Sequence, residues 1–564
     1  MTDASRPLPA AAPIEHAAVE VDRRTRFEIL AAIMLGLFLA ALDQTIVGPI
    51  LPRVVGELHG ADLYTWVVTA YLLTSTVTVP IYGKLSDLFG RKPLLMIGIS
   101  LFLLGSILSG LSQEMWQLIL FRGIQGLGAG SLFPIALAVI GDLFTPAERG
   151  KYQGLFGAVF GVSFLIGPGL GGFLTDNFSW HWVFFVNLPI GLVALFVIAR
   201  LLPSHRRAGA SRNIDYLGVA TFTAGLVPIL VGLTNAQSGN WGSPGVWGLI
   251  VTGVVFLVVF VVVERFEKEP MIPLGLFRIR SFSLSMVAVF TAMFGFFSAV
   301  VFLPLWFQVV RGASATASGY NLMPFLFGLI LSSVVSGQVV SRTGHYKWLV
   351  VGSLALASTG LVLFTNLRAD TPSIVLWSWM AVMGIGIGPT MAVFTIIVQN
   401  AVPFDKLGAA TADLTLFRQV GGTVGLTFGF TLFRQFLTTD LLKEQFTVAG
   451  VPAQLVAGMP SGGAFGGDVA QVGGADPIQQ FLAQAPAQIQ PTLQHYLSNF
   501  EAGFHQAFSI ALAHSLWLGV GAMVLGVVAT AFLHELPLRA HHGPVRAPVP
   551  ADGEATEPSP IAAR

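Results

Sequence analysis

Residues 83–95 read GKLSDLFGRKPLL and lie between two long apolar stretches. Gly83 and Gly90 carry no Cβ, so helix ends can approach closely there and the backbone can turn sharply. Asp87 and Arg91 are four apart, which on a helical turn puts them on one face within pairing reach. Lys92 adds a second positive charge at a membrane edge, where basic residues mark the cytoplasmic side. A tight charged hairpin between two spanning helices accounts for the glycines and the bases. It leaves the acid unexplained.

Outward from this stretch, composition places most of the chain in lipid. Of 564 residues, 54% are hydrophobic and 10% charged, whereas a soluble domain carries about 25% charged residues. The formal net charge of +1 gives no footprint for nucleic acid. Cysteine is absent, which excludes disulfides, thiolate catalysis and cysteine metal sites. A spanning helix needs about 20 mostly apolar residues. Fourteen stretches are expected to span: 28–50, 64–83, 94–112, 115–140, 153–175, 181–202, 215–235, 245–264, 282–307, 317–340, 348–367, 372–400, 408–436 and 507–533. The first is too long for a signal-peptide core and has no small-residue cleavage pattern close behind it, so it reads as a helix that stays.

An even number of spans puts both termini on one side. With the termini in the cytoplasm, only Arg53, Arg311, Arg368, Arg434 and Lys443 of the 30 Lys and Arg fall outside, while Arg122 and Arg418 fall within helices. The remainder are cytoplasmic, as the positive-inside rule requires. An internal repeat divides the chain further. GQVVSRTGHYK at 337–347 places Gly337 and Gly344 at the spacing of Gly83 and Gly90, with Ser341 where Asp87 stands in the first copy. The expected architecture is an all-α multi-pass protein of the cell membrane, built as two six-helix bundles in parallel repeat with two inserted helices between them. Its parts are a cytoplasmic tail 1–27, a bundle 28–202, a linker 203–281 holding the inserted pair, a bundle 282–536 with a long outer segment 437–506, and a cytoplasmic tail 537–564.

Several polar residues stand out in apolar surroundings. Asp43, in ALDQTIVGPILPRV (41–54), sits inside the first helix. A carboxylate there is costly unless paired, hydrated or protonated, and reads as functional by default. A helix-end acid in a wet vestibule is the plainer alternative. Pro49 and Pro52 are expected to bend or end the helix just beyond. In LILFRGIQGLGAG (118–130), Arg122 is the only base of its helix. Gln125 shares its face, and Gly126, Gly128 and Gly130 allow close packing. Counted from the helix ends at 1.5 Å per residue, Asp43 and Arg122 both lie roughly 10 Å below the outer surface. A shared layer permits a pair, either static or responsive to protonation.

The fifth span, GLFGAVFGVSFLIGPGLGG (154–172), gathers Gly154, Ser163, Gly167, Pro168, Gly171 and Gly172 into a small-residue face with a helix-bending proline. Close behind the fourth span, GDLFTPAERGKY (141–152) brings Asp142, Glu148, Arg149 and Lys151 near the 83–95 loop, as an inner charge cluster or as a solvated mixed-charge loop. The thirteenth span carries Asp413, Arg418 and Gln419, and the ninth is rich in aromatics, including Phe294 and Trp306. Gln125, Phe294, Trp306, Asp413 and Arg418 are the candidates for a substrate cavity, against a plain packing role for the aromatics. No GxxxxGK[ST], HExxH or strand-borne dinucleotide loop is found. No ATP drive, metal or other cofactor is expected, and no enzyme activity.

In order and position, GKLSDLFGRKPLL, LDQTIVGPILP, LILFRGIQGLGAG, the Gly/Pro run of the fifth span and WHWVFFVNLPIG (180–191) resemble the fourteen-helix drug:proton antiporters of the major facilitator superfamily, over nearly the whole chain. The resemblance implies proton coupling at Asp43 and Arg122. It implies a conformational switch at Gly83, Asp87, Gly90, Arg91, Lys92, Asp142 and Arg149, and antiport character in the fifth span. It departs from the family pattern at Gly48-Pro49, at Ser163, at His181 where Arg is common, and in having no acid midway along the tenth span. The last departure favours monovalent or neutral amphiphiles over divalent cations. The implied activity is alternating-access export of amphipathic drugs against inward protons, by a monomer in contact with membrane lipid. A lipid or metabolite exporter on the same scaffold, or a non-transporting sensor, are the alternatives.

Overall fold

The computed structural model describes residues 22–58, 63–203, 213–237, 241–457 and 494–538. Most of both expected tails, of the 203–214 linker and of the 437–506 segment lies outside the described residues. Among the described residues there is no strand. The helices are α1 Arg23–Leu58, α2 Tyr64–Phe89, α3 Arg91–Gly110, α4 Met115–Leu143, α5 Pro146–Asn177, α6 Trp182–Phe185, α7 Asn187–Leu201, α8 Tyr216–Gln237 and α9 Pro244–Phe266. There follow α10 Arg280–Val300, α11 Phe302–Arg311, α12 Ala315–Tyr320, α13 Met323–Thr343, α14 Lys347–Phe364, α15 Ser373–Ala401, α16 Leu407–Phe436, α17 Thr439–Val448, α18 Ala453–Ala457 and α19 Leu497–Ala531.

Thirteen described helical stretches are long and apolar enough to cross a membrane. They correspond to thirteen of the fourteen expected spans. The fourteenth is α16, which has the length at 30 residues. Its sequence is diluted by Asp413, Arg418 and a Gly/Thr run that packs against neighbours. Three expected spans are each split in two. The breaks fall at Val186, Val301 and Asn321, each three residues ahead of a proline (Pro189, Pro304, Pro324). A proline ring removes an amide donor and crowds the turn before it.

Pro49 and Pro52, by contrast, do not end α1, which runs on to Leu58. Its last turns are held from outside. Trp180 Nε1 donates to Glu57 at 2.8 Å, and Val54 is buried with Val183 and Phe184. The final span also begins earlier than expected, at Leu497. There Phe500, Phe504 and Phe508 repeat at helical spacing and bury against a cluster that includes Phe446 of α17.

The glycines of α4 face two ways. A Cβ on Gly126 or Gly130 would collide with α2, and one on Gly128 would collide with the amide of Phe102 in α3. Gly128→Val therefore has nowhere to put two methyl groups. It is expected to destabilise the protein by about 3 kcal/mol, read as a lowered unfolding midpoint in detergent. An unchanged midpoint would mean that α3 and α4 can separate freely. The inserted helices α8 and α9 pack on each other and reach the rest through α2 and α16.

Candidate functional site

Asp43 is fully enclosed, at 0% exposure, and Arg122 is 1% exposed. Arg122 donates to Asp43 Oδ2 at 2.6 Å. Asp43 Oδ1 accepts from Gln125 Nε2 at 2.8 Å and from Asn187 Nδ2 at 3.3 Å. Arg122 also donates to Gln125 Oε1 at 2.8 Å, and its guanidinium lies 4.2 Å from the centre of the Tyr71 ring. From Asn187 the chain of bonds continues to Ser106 Oγ at 3.0 Å and on to the Phe184 carbonyl. One carboxylate thus ties α1 to α4 and α7, and through Asn187 to α3 and α6. Adding a proton to Asp43 removes an acceptor and creates a donor, so amides on two other helices must rearrange.

Asp43 and Arg122 do meet, as the expected shared layer allows, but α1 runs to Leu58, so the depth counted from an end near residue 50 is not the reason. Asn187 and Tyr71 were not identified from sequence. Asn187 lies within the quoted WHWVFFVNLPIG tract but is neutral, and no charge pattern marks it. Gln125, a cavity candidate, belongs to this network. His181, at the position where the resemblance leads to Arg, lies 2.6 Å from Ser179 Oγ and stacks on the Trp180 ring.

A second cluster sits where α2 meets α3, here called the loop end. The expected hairpin loop reduces to Gly90, whose φ of 96° only glycine adopts readily. Arg91 pairs with Asp87 at 2.6 Å and with Asp142 at 3.0 Å, and donates to Ser86 Oγ at 2.6 Å. Asp87 reaches across to the other half of the chain. It accepts the backbone amides of Gly408 at 3.1 Å and Ala409 at 2.9 Å. A carboxylate thus rests on the positive N-terminus of α16. Gly83 is the contact point of the same two helices, where a Cβ would collide with Ala412. The second copy of the motif repeats both jobs. Gly344 makes its turn at φ 73°, and a Cβ on Gly337 would collide with the Gly150 carbonyl of α5.

Arg149 does not take the place expected in an Asp87–Arg91–Asp142 set. It folds back onto the carbonyls of Gly141 and Phe144, which the end of α4 leaves without intrahelical partners. Glu148 closes a capping box with Thr145. Lys92 stands half-buried in the first turn of α3. A further bridge between the halves was not read from sequence. Gln399 of α15 donates to the Leu137 carbonyl of α4 at 3.1 Å and accepts from Gln153 of α5 at 2.9 Å.

The small-residue face of α5 divides along its length. Gly154, Gly157 and Gly161 press onto α13, whereas Gly167 and Gly171 press onto Thr45 and Ile46 of α1. Thr45 Oγ1 also donates to the Ser163 carbonyl at 3.0 Å, which links α5 to the residue two beyond Asp43. Pro168 lies inside α5 without ending it, and Gly172 faces open space.

Three of the other cavity candidates have partners of their own. Trp306 is a core residue at 0% exposure, its Nε1 bonded to Ser509 Oγ at 2.8 Å. Phe294 is buried against Phe428 of α16. Arg418 donates to the Thr390 and Met391 carbonyls and to Thr395 Oγ1, all in α15. Asp413 is 1% exposed, and its neighbour Ala412 packs in one cluster with Val77 and Val79 of α2. No group of metal-ligating side chains is found among the described residues.

Long apolar helices that close on each other at one end, around charges buried in the fold, define a multi-pass membrane protein of the transporter type. The chain belongs to the Major Facilitator Superfamily, whose family model matches residues 33–426. It is 39% identical over 400 residues to the multidrug transporter protein MdtP of Bacillus subtilis, covering 71% of this chain and 74% of that protein. It is 33% identical over 513 residues to multidrug resistance protein 3 of the same organism, covering 90% and 95%. It is 36% identical over 429 residues to the puromycin resistance protein pur8 of Streptomyces alboniger, covering 75% and 85%. Among solved structures it resembles the proton:xylose symporter XylE, with a TM-score of 0.57 at 14% identity over 93% of this chain and 99% of that one.

Proposed function

We propose that the chain is a proton-driven exporter of amphipathic organic compounds, working by alternating access in the cell membrane. In this reading α1–α7 and α10–α19 form the two moving bundles, with α8 and α9 inserted between them, and both termini and the loop end are cytoplasmic. Asp43 with Arg122 carries the coupling proton. Asp87, Arg91 and Asp142 hold the cytoplasmic end shut. The observation that carries this reading is the enclosed Asp43, an acid held by donors on two other helices inside one half of an otherwise apolar bundle. The multidrug and puromycin resistance names of the relatives support the substrate class. One inward proton supplies about 2.3 kcal/mol per 100 mV, enough to concentrate a substrate appreciably.

The test is transport by purified protein in liposomes, with ethidium as the lipophilic cation and an imposed proton gradient. Gradient-driven ethidium accumulation that collapses with a protonophore is expected. Accumulation indifferent to the gradient overturns proton drive. Orientation is tested separately, since the chain has no cysteine of its own. With a membrane-impermeant maleimide on intact cells, Ser498→Cys is expected to label and Thr343→Cys to stay unlabelled. The reverse pattern inverts the topology.

A further inference from the structure

Asp413 and Asp43 are both enclosed acids, but their surroundings are opposite. Asp43 has a donor for each oxygen. Asp413, in the second turn of α16, is 1% exposed and neither of its oxygens has a hydrogen-bond partner. Glu264, in the last turn of α9, is 3% exposed. Its Oε1 accepts the amides of Met271 and Ile272 at 3.1 and 3.2 Å, while its Oε2 has no partner. The segments that carry the two acids share one packed cluster. Met271 and Ile272 are buried in one cluster with Ala412 and Leu416, which flank Asp413, and with Val77 and Val79 of α2. Asp413 lies within electrostatic reach of both Glu264 and Asp87.

The neighbouring charges are committed elsewhere. Lys84 of α2 pairs with Glu269 at 2.7 Å, and Arg91 pairs with Asp87 and Asp142. Arg418, on the same helix as Asp413, turns to α15. Asp215, ahead of α8, is a third acid within reach of Glu264; it is 5% exposed, accepts the Gly218 amide at Oδ1 and has no partner at Oδ2, so it adds negative charge to the site. Lys84 is the cation within reach of Glu264, and it is shared with Glu269; two buried acids with unpartnered oxygens cannot both be anions at tolerable cost.

We propose that Asp413 and Glu264 form a second proton-binding site, half of it supplied by the inserted helix pair, which holds a proton while α2 and α16 are closed at the loop end. The proton sits as an O–H on one of the two carboxyls. When α2 withdraws from α16, water reaches the site, the proton passes to it, and the carboxylates are hydrated. The inserted pair thereby acquires a part in the proton cycle. This rests on the proton-driven reading above, but its test does not.

Dicyclohexylcarbodiimide modifies carboxyl groups that are protonated in apolar surroundings. On the full-length protein in detergent, without substrate or gradient, peptide mass mapping is expected to find an adduct on Asp413 or Glu264 at neutral pH. Its yield should fall about ten-fold per pH unit once the site titrates. No adduct on either residue, or a yield flat with pH, overturns the proposal. In parallel, spin labels on Pro93→Cys and Pro403→Cys read the separation across the loop end. The wild type is expected to open as pH rises. Asp413→Asn should stay closed over that range, and Glu264→Gln should shift the midpoint by about one pH unit or more. Wild-type profiles in both variants overturn the proposal even if each folds normally. Intact titration with no proton coupling in liposomes would instead fault the proton-driven reading alone.

Discussion

Replacing Arg122 by alanine is expected to abolish gradient-driven export and to cost the protein about 3–5 kcal/mol of stability, the range seen when one member of a buried ion pair is removed. The guanidinium serves three partners at once: Asp43, Gln125 and the face of the Tyr71 ring. Without it, an enclosed carboxylate keeps only two amide donors and no counter-charge. The charge balance on which the proposed proton cycle depends is then lost, so the carrier cannot cycle. Arg122→Lys keeps the charge but cannot lie flat on Tyr71 while reaching both Asp43 and Gln125. It should weaken uphill export less than alanine does. Asp43→Asn should likewise abolish uphill export while sparing downhill exchange, because the asparagine amide still fills the site. The decisive pair of measurements is ethidium accumulation under a proton gradient and ethidium exchange without one. Full uphill accumulation by Arg122→Ala would remove this network from the coupling mechanism.

The second large effect is expected at Gly408. A Cβ there collides with the Asp87 carboxylate and the Arg91 guanidinium. Gly408→Val should therefore push Asp87 off the amides of Gly408 and Ala409. Hydrogen bonds to a charged group contribute about 1.5–3 kcal/mol each, and about 1.4 kcal/mol is a ten-fold change in an equilibrium. Losing even one should lower the closed-end population by ten-fold or more. Asp87→Asn, which keeps the shape but not the charge on the helix terminus, should act in the same direction with a smaller effect. Disulfide trapping between cysteines placed on α2 and α16 at the loop end reads the population directly, and ethidium affinity serves as the control. Wild-type trapping in Gly408→Val would show that Asp87 does not hold this edge closed. Loss of ethidium affinity with unchanged trapping would place Asp87 in the binding site instead.

How much of this was legible in the sequence depends on what kind of partner each residue has. Asp43 and Arg122 could be matched because both are charges in apolar helices, although the depth count rested on an end of α1 that the structure moves to Leu58. Gly90 was legible as a turn because a residue without a Cβ between two long apolar stretches lets the backbone turn sharply. The partner of Asp87 was not legible, because it is a pair of backbone amides, which carry no signature in the sequence. The nearest hint is Gly408, a poor helix former in the first turn of a helix. Asn187 and Gln399 were missed for a related reason. Each is a neutral amide whose importance comes only from what the fold sets opposite it. Trp306 misled because an aromatic in a membrane helix looks the same whether it faces a cavity or, as here, a buried serine on α19. The proline-marked breaks at Val186, Val301 and Asn321 were legible in kind, but hydropathy runs straight across them.

The two copies of the glycine motif close the loop end by different physics. On the α2–α16 edge, contact depends on a carboxylate, a guanidinium and a helix terminus. On the α5–α13 edge, Ser341 replaces the acid, and Gly150 and Gly337 bring uncharged backbone against backbone. At the opposite end of the same edge α5 meets α12, where a Cβ on Gly169 would crowd the uncharged Tyr320 hydroxyl. The two halves are thus joined like the boards of a book, with α5 and α13 as the spine and α2 and α16 as the fore-edge. Salt, proton concentration and membrane voltage act on charges, so they can pry at the fore-edge while leaving the spine as it was.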